Sequence, residues 1–348
     1  MTTLPSPRFS NQRDAPALRW GVVGPGAIAT DFTRAVQAHT TQQVVAVSSR
    51  SAERAGQFAA AHGIRSSYGS HADLFADPNV DVVYIAVPHT EHVPLALDAI
   101  AAGKHVLVEK PMATSAADAQ LVVNAARAAG VFAMEALWAK YLPKFDVVRQ
   151  LLEDGALGDV RLFSADYGFR APYDPTSRFF NPELGGGALL DLGVYLVSVA
   201  SFALGEFSSV TARGQLSPTG VDVQSSLILD TPTGAQAVLS TTLLADTPSE
   251  ANIIGTGGRI AIDRVFVGPG GFTFSPAGSG AVRFEDTSGL LWREGLSYQA
   301  SAVARFIADG LTESPLHPLD ETIAVLDTLD EARRQILGGG SIRSMEAQ

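Results

Sequence analysis

Cysteine is absent from the 348-residue chain. Disulfides, thiolate nucleophiles and cysteine-ligated metals are therefore excluded. Positive charge is scarce too: 25 Lys and Arg stand against 36 Asp and Glu, a formal net charge of -11. Nucleic acid and anionic membranes both attract basic surfaces, so no nucleic acid and no membrane is expected as a partner. Long apolar runs are also missing. The longest, Ala188–Leu204, is broken by Asp191, and at about 17 residues it falls short of the roughly 20 a spanning helix needs. The opening MTTLPSPRFSNQRDAPALRW holds no apolar run of signal-peptide length. Residues 1–17 read as a flexible leader, and a cytoplasmic location is expected.

The length exceeds one ordinary core, which implies two domains. Hydrophobic residues make up 46% and charged residues 18%, as in globular proteins. LRWGVV, at residues 18–23, is a short buried-strand candidate, and TDFTRAVQAH reads as a helix. Between them Gly24, Pro25, Gly26, Ala27, Ile28 and Ala29 spell G-x-G-x-x-A, in the strand–loop–helix context of a dinucleotide-binding loop. Gly24 permits the tight turn, Gly26 lets the backbone approach a pyrophosphate, and Ala29 keeps helix and strand close. The free N–H groups around Ala27 and Ile28 then face the phosphates.

The next strand, QVVAV from Gln43 to Val47, leads into Ser48-Ser49-Arg50-Ser51. NAD sites usually place an acid here to hold the ribose 2′-hydroxyl. This chain has none. It has Ser49, Arg50 and, one helical turn on, Arg54, a set suited to gripping a 2′-phosphate, so NADP is expected over NAD. A third strand, Val80 to Val87, ends at Pro88, His89 and His92, and a fourth, HVLVE, ends at Glu109 and Lys110. Ser115 and Asp118 form a capping box for a helix that Gly130 ends. Strands alternating with helices imply a parallel, doubly wound sheet, whose ligands lie beyond the strands' carboxyl ends. His89 and His92 lack a third ligand, so no metal is expected and contact with cofactor or substrate is the role assigned to them.

With Glu109-Lys110-Pro111 the chain resembles the Gfo/Idh/MocA oxidoreductase family, and most closely its dimeric dihydrodiol dehydrogenase and D-xylose 1-dehydrogenase branch. The similar stretches include SYGSHADLFADPNVDVVYIAVPHTEH, AAGKHVLVEKPM, MEALWAKYLP, GGGALLDLGVY and GLSYQA, and they span about Leu18 to Leu337. The resemblance implies a Rossmann domain over 18–130. It implies a substrate-binding and oligomerisation domain over 131–348, α+β with a large, mainly antiparallel open sheet that forms a homodimer, the last helix able to pack back on the first domain. VRLFSADYGF, SSLILDTPTGAQAVLSTTLLA and GRIAIDRVFVG have the β-branched content and turn punctuation of such strands. The resemblance also gives Lys110 a place at the nicotinamide, Tyr195 the proton donor and acceptor role, Arg50 and Arg54 the 2′-phosphate, and Trp138 and Tyr167 the substrate pocket. Arg178 and Phe179-Phe180 lie where the family agrees less.

The implied chemistry follows from simple electrostatics. A free phenol, with a pKa of about 10, is a poor base near neutrality, and a nearby ammonium stabilises the phenolate. On an α-helix Asp191 and Tyr195 share one face, and Gly185 to Gly187 would let the helix start approach a ligand closely. Asp191 then orients substrate hydroxyls or Lys110. Asp191, Lys110, Tyr195, Arg161 and His89 offer polar contacts, and Trp138 and Tyr167 flat faces, so a sugar or cyclic diol is the expected substrate. The expected activity is NADP-dependent oxidation of an aldopyranose at C1 or of a trans-dihydrodiol. The alternatives are a redox-assisted glycosidase with tightly held NAD(P) and a non-catalytic NADP-binding regulator.

Overall fold

The computed structural model describes residues 3–8, 11–339 and 341–342. The chain divides into two compact units, one formed by Phe9–Tyr141 with Leu290–Ile323, the other by Met1–Arg8, Leu142–Gly289 and Ala324–Gln348.

The first unit is built on β1 (Arg19–Val23), α1 (Ala27–His39), β2 (Gln43–Ser48), α2 (Ala52–His62), β3 (Ser66–Tyr68), α3 (His71–Phe75), β4 (Val82–Ile85), α4 (His92–Ala101), β5 (His105–Val108), α5 (Ala116–Ala129) and β6 (Ala133–Glu135). All six strands are parallel, in the order β3-β2-β1-β4-β5-β6. This is the doubly wound order of dinucleotide-binding folds. Helices cover both faces, which is why VVYI of β4 is buried at every position. Local signals set the helix ends. Ser51 Oγ accepts from Arg54 N at the start of α2, and Ser115 Oγ from Asp118 N at the start of α5. Gly63 and Gly130 end these helices in the left-handed region.

The second unit holds α6 (Pro143–Glu153), α7 (Val194–Leu204) and strands β7 (Val160–Gly168), β8 (Ser209–Leu216), β9 (Asp222–Asp230), β10 (Gln236–Thr242), β11 (Ala251–Gly255), β12 (Gly258–Ile262), β13 (Phe272–Pro276), β14 (Val282–Phe284) and β15 (Ser341–Ile342). They form one sheet ordered β14-β13-β12-β11-β7-β10-β9-β8-β15, antiparallel except at β7/β10 and β8/β15. The expected α/β plus open antiparallel-sheet architecture is therefore present. Helix α7 packs on one face through β7 and β10. Leu227, Leu229, Ala237 and Leu239 point inward and are buried, each large one stabilising the fold by about 1.5–3 kcal/mol. On the opposite face Ile228 and Val238 are 43% and 46% exposed and sit directly across from each other. Two further helices complete the chain: α8 (Leu296–Ala308), which packs on α1 in the first unit, and α9 (Leu319–Gly339).

The apolar run expected to stop short of membrane length is longer in the structure. With the short turn Pro182–Leu184 that precedes the glycines, the segment Pro182–Leu204 is 23 residues, long and apolar enough to cross a membrane; an 18-residue window within it has mean hydropathy 1.8, and 78% of that window is buried inside the protein. Its apolarity follows from that burial.

Candidate active site

The glycine loop follows β1 as expected. Gly24 has φ +91°, and a Cβ there would lie 2.6 Å from the Ala86 carbonyl oxygen at the end of β4. Turn geometry and close strand packing thus both require glycine. Gly26 caps α1 with no side-chain hydrogen bond, and a Cβ there would meet nothing within 4 Å. That open space, over a helix start whose first N–H groups have no partner in their own helix, is what a diphosphate requires. Ala29 is fully buried. At the end of β2, Ser49 is buried and its Oγ accepts from Ser51 N, while Arg50 and Arg54 are exposed. The residues present fit an NAD(P) nucleotide at this edge.

The loop after β5 is fastened on several sides. Glu109 is buried, accepts from the Tyr84 hydroxyl at 2.5 Å and from Lys110 N at 3.2 Å. Burial raises its carboxyl above the ordinary value, against the opposing pull of the Tyr84 hydrogen bond and the Lys110 charge. Two residues past Lys110, Met112 N donates to Glu135 Oε1 at 2.8 Å. Glu135 Oε2 in turn lies 3.0 Å from His317 Nε2 and accepts from Thr322 Oγ1 at 3.1 Å. His317 Nδ1 is 3.0 Å from Glu321 Oε2, and Lys140 Nζ donates to Glu321 Oε1 at 2.6 Å. Burial alone would raise Glu321, but the His317 hydrogen bond and the Lys140 charge outweigh it and hold that carboxyl at about 2. None of Glu135, Lys140, His317 or Glu321 was signalled by the sequence, since the partners stand 182 residues apart.

His92 departs from its assigned role. It is fully buried, with Nδ1 2.8 Å from the Pro111 carbonyl and Nε2 2.9 Å from the Val87 carbonyl. A neutral imidazole has one N–H and donates it to one of these two carbonyls; fully buried between the loops after β4 and β5, His92 offers no atom to a ligand. Its burial lowers its pKa. His89, 8% exposed, packs edge-on against it at 5.7 Å, and Pro88 precedes it at the strand-end edge. Trp138 is buried, edge-on to Trp292 at 5.9 Å; Trp292, 45% exposed and at φ +42°, is an aromatic the sequence reading passed over.

In the second unit DLGVY begins in a π-helical stretch, Leu189–Gly193, and passes into α7 at Val194. The wider turn shifts Asp191 relative to Tyr195 from the plain α-helical stacking expected; such bulges recur at functional sites. Tyr195 is 6% exposed and meets Tyr167 edge-on at 5.9 Å. Asp191 is 4% exposed, and its Oδ1 accepts from Arg178 Nη1 at 2.9 Å. Two glycines of the run are closed in by the protein itself. A methyl on Gly187 (φ +125°) would overlap Asp222 Oδ1, and one on Gly186 would lie 2.9 Å from the carbonyl oxygens of Asn181 and Phe179. Asp222, wholly buried, uses Oδ2 to accept from Leu189 N at 2.8 Å, and burial pushes its carboxyl up to about 6. The structure does not bring Arg161 to this group. It stands six residues before Tyr167 on β7, roughly 20 Å along the strand, exposed and ion-paired with Asp159.

Comparison with known proteins adds kinship to this geometry. The Gfo/Idh/MocA profile, described as an oxidoreductase family with an NAD-binding Rossmann fold, matches residues 18–137, and the Gfo/Idh/MocA C-terminal domain matches 145–261. Trans-1,2-dihydrobenzene-1,2-diol dehydrogenase from Mus musculus is 37% identical over 331 residues, 92% of this chain and 97% of the mouse protein. A 3-ketoreductase from Actinomadura kijaniata, solved with NADP and TDP-benzene, is similar at TM-score 0.79 and 27% identity, covering 92% of this chain and 98% of that one. Levoglucosan dehydrogenase, solved with NADH and levoglucosan, shares the fold at TM-score 0.84 and 22% identity, with the same coverage.

Proposed function

Because the chain belongs to the Gfo/Idh/MocA oxidoreductase family, we propose that this NAD(P)-binding oxidoreductase is a cytoplasmic, NADP-dependent dehydrogenase of cyclic polyols. Its substrate is a trans-dihydrodiol or an aldopyranose oxidised at C1. The solved neighbours hold NADP in one case and NADH in another, so the choice of NADP rests on this chain's own turn: Ser49, Arg50 and Arg54 with no acid after β2.

Gly24, Gly26, Ala27 and Ile28 would hold the diphosphate, with Pro88, His89 and Glu109 beside the nucleotide at the same sheet edge. When bound, the nicotinamide supplies the hydride donor or acceptor. The chain's own residues handle the proton. In the oxidising direction the Tyr195 phenol takes the hydroxyl proton, and in reduction it returns it. The Lys110 ammonium favours the phenolate form and orients the reacting hydroxyl. Asp191 holds substrate hydroxyls, and the flat faces of Trp138 and Tyr167 receive the ring.

The observation that carries this reading is the fastening of the Lys110 loop. Glu109, Glu135 and His92 bond to the backbone of residues 110, 112 and 111, so the amine projects from a backbone that is held in place. The test is the near-ultraviolet absorbance of reduced nicotinamide, followed with a panel of aldoses and dihydrodiols and with each oxidised cofactor. Turnover of at least one cyclic polyol, faster with NADP than with NAD, is expected. Tight cofactor binding without turnover of any member would refute the reading.

A further inference from the structure

Arg178 is the one residue of the second unit's polar group that the reading above leaves without a task. It is held in place yet incompletely used. Nη1 donates to Asp191 Oδ1 at 2.9 Å, and the guanidinium lies 4.1 Å over the Phe179 ring. Phe179 in turn packs edge-on against Phe169 at 5.3 Å, and its carbonyl accepts from Gly187 N at 3.0 Å. The segment carrying Arg178 is thus anchored through side chain and backbone. The side chain is nevertheless 51% exposed, while that of Asp191 is 6% exposed. A guanidinium has five N–H donors. Among the described residues only the bond to Asp191 engages one of them.

Tyr167, Phe169, Tyr173 and Phe179 are partly buried around the same apolar cluster, and Tyr167 touches Tyr195. The acid–base phenol, a flat aromatic shelf, a carboxylate and an exposed cation therefore belong to one group. The ion pair decides what this group recognises. The carboxylate of Asp191 balances the charge of Arg178, so an anionic substrate gains little from the cation and is repelled by its partner. A pair of adjacent hydroxyls suits both halves: one donates to the carboxylate, and its neighbour accepts from a free guanidinium N–H.

Resting on the proposed dehydrogenase activity, we infer that Arg178, paired with Asp191, is a specificity-determining residue that selects neutral substrates carrying vicinal hydroxyls over sugar acids of the same size. It acts on substrate binding rather than on the proton transfer at Tyr195.

The experiment is steady-state kinetics of wild type, Arg178→Met and Arg178→Lys on a neutral aldopyranose, a trans-dihydrodiol and a uronate, with cofactor dissociation constants measured alongside. The wild type is expected to favour the neutral compounds. Arg178→Met raises their KM by about 10- to 100-fold, the loss of one charged hydrogen bond, with kcat changed less than about threefold and cofactor binding unaltered. Arg178→Lys recovers part of the KM, because it restores a donor without the planar fork. If the Met variant loses cooperative melting, the Lys variant decides alone by showing a raised KM or not. Unchanged KM in the folded variants, or a wild type that oxidises the uronate as well as the neutral sugar, overturns the inference and leaves the dehydrogenase reading standing. A wild type that turns over none of the compounds removes both.

Discussion

At the scale of single residues, Asp222 shows how a buried carboxyl can brace the second unit while its charge costs stability. Its carboxyl fills the space left by the missing side chain of Gly187 and receives the N–H of Leu189, at the start of the helix that carries Asp191 and Tyr195. Burial raises its pKa from 3.8 to about 6. A pKa raised on folding means stability fully present below about pH 4 and lost as pH rises through the folded value. The difference corresponds to about 3 kcal/mol. Asp222→Asn keeps an acceptor for Leu189 N and has no proton to lose. Denaturant unfolding of wild type and variant should therefore diverge between about pH 4 and about pH 7, wild type losing about 3 kcal/mol relative to the variant. Parallel curves would show that Asp222 stays charged at no cost. Single residues were legible in the sequence where a local pattern named them. Gly24, Gly26 and Arg50 stand in a motif with a strand before and a helix after. Arg178, Glu135 and His317 were not legible, because their meaning lies in partners that only the fold brings near. His92 and Arg161 have partners of their own that the sequence did not show: a polar residue near a ligand-binding edge or strand looks available until its own hydrogen bonds are known.

At the scale of elements, the proposed preference for NADP rests on the turn from β2 into α2. It offers serines and two exposed arginines where an acid would repel a 2′-phosphate. Arg50→Ala should raise the KM for NADP by about 10- to 100-fold and leave that for NAD within about threefold, since a bidentate guanidinium–phosphate contact is lost in one case only. Equal losses for both cofactors would place Arg50 elsewhere on the nucleotide. Strong elements were readable from pattern. The apolar runs of β4 and of β5 after His105, and the capped α2 and α5, announce themselves by composition and end signals. The three-residue strands β3 and β6 did not, because so short a stretch carries no period. Nor did the π-helical turn at Leu189–Gly193, since an apolar run looks the same whichever helix it forms.

At the scale of the whole molecule, alternating strand and helix patterns pointed to the doubly wound sheet of the first part, whereas the open antiparallel sheet of the second was implied by the family resemblance, with which its strand and turn punctuation agreed. The composition of the units was not legible in this way. Residues 290–323 group with the first unit, a return of the chain that no local signal announces. The outer face of the second unit's sheet bears on assembly. Ile228 and Val238 face each other across β9 and β10 and are exposed, which supports the proposal of a homodimer formed through this face. Light scattering should report twice the 36.5 kDa of one chain, and a Val238→Glu variant should report a single chain with its secondary structure unchanged. The central claim remains the pairing of a lysine amine with a tyrosine hydroxyl in moving a proton as hydride passes to or from the nicotinamide. Its most direct test is a single-turnover measurement of nicotinamide reduction by wild type, Lys110→Met and Tyr195→Phe, each saturated with NADP and a substrate the wild type oxidises. The account predicts that both variants bind the cofactor as wild type does and that each slows the turnover by about 100-fold or more; a Tyr195→Phe enzyme that keeps the wild-type rate would contradict it.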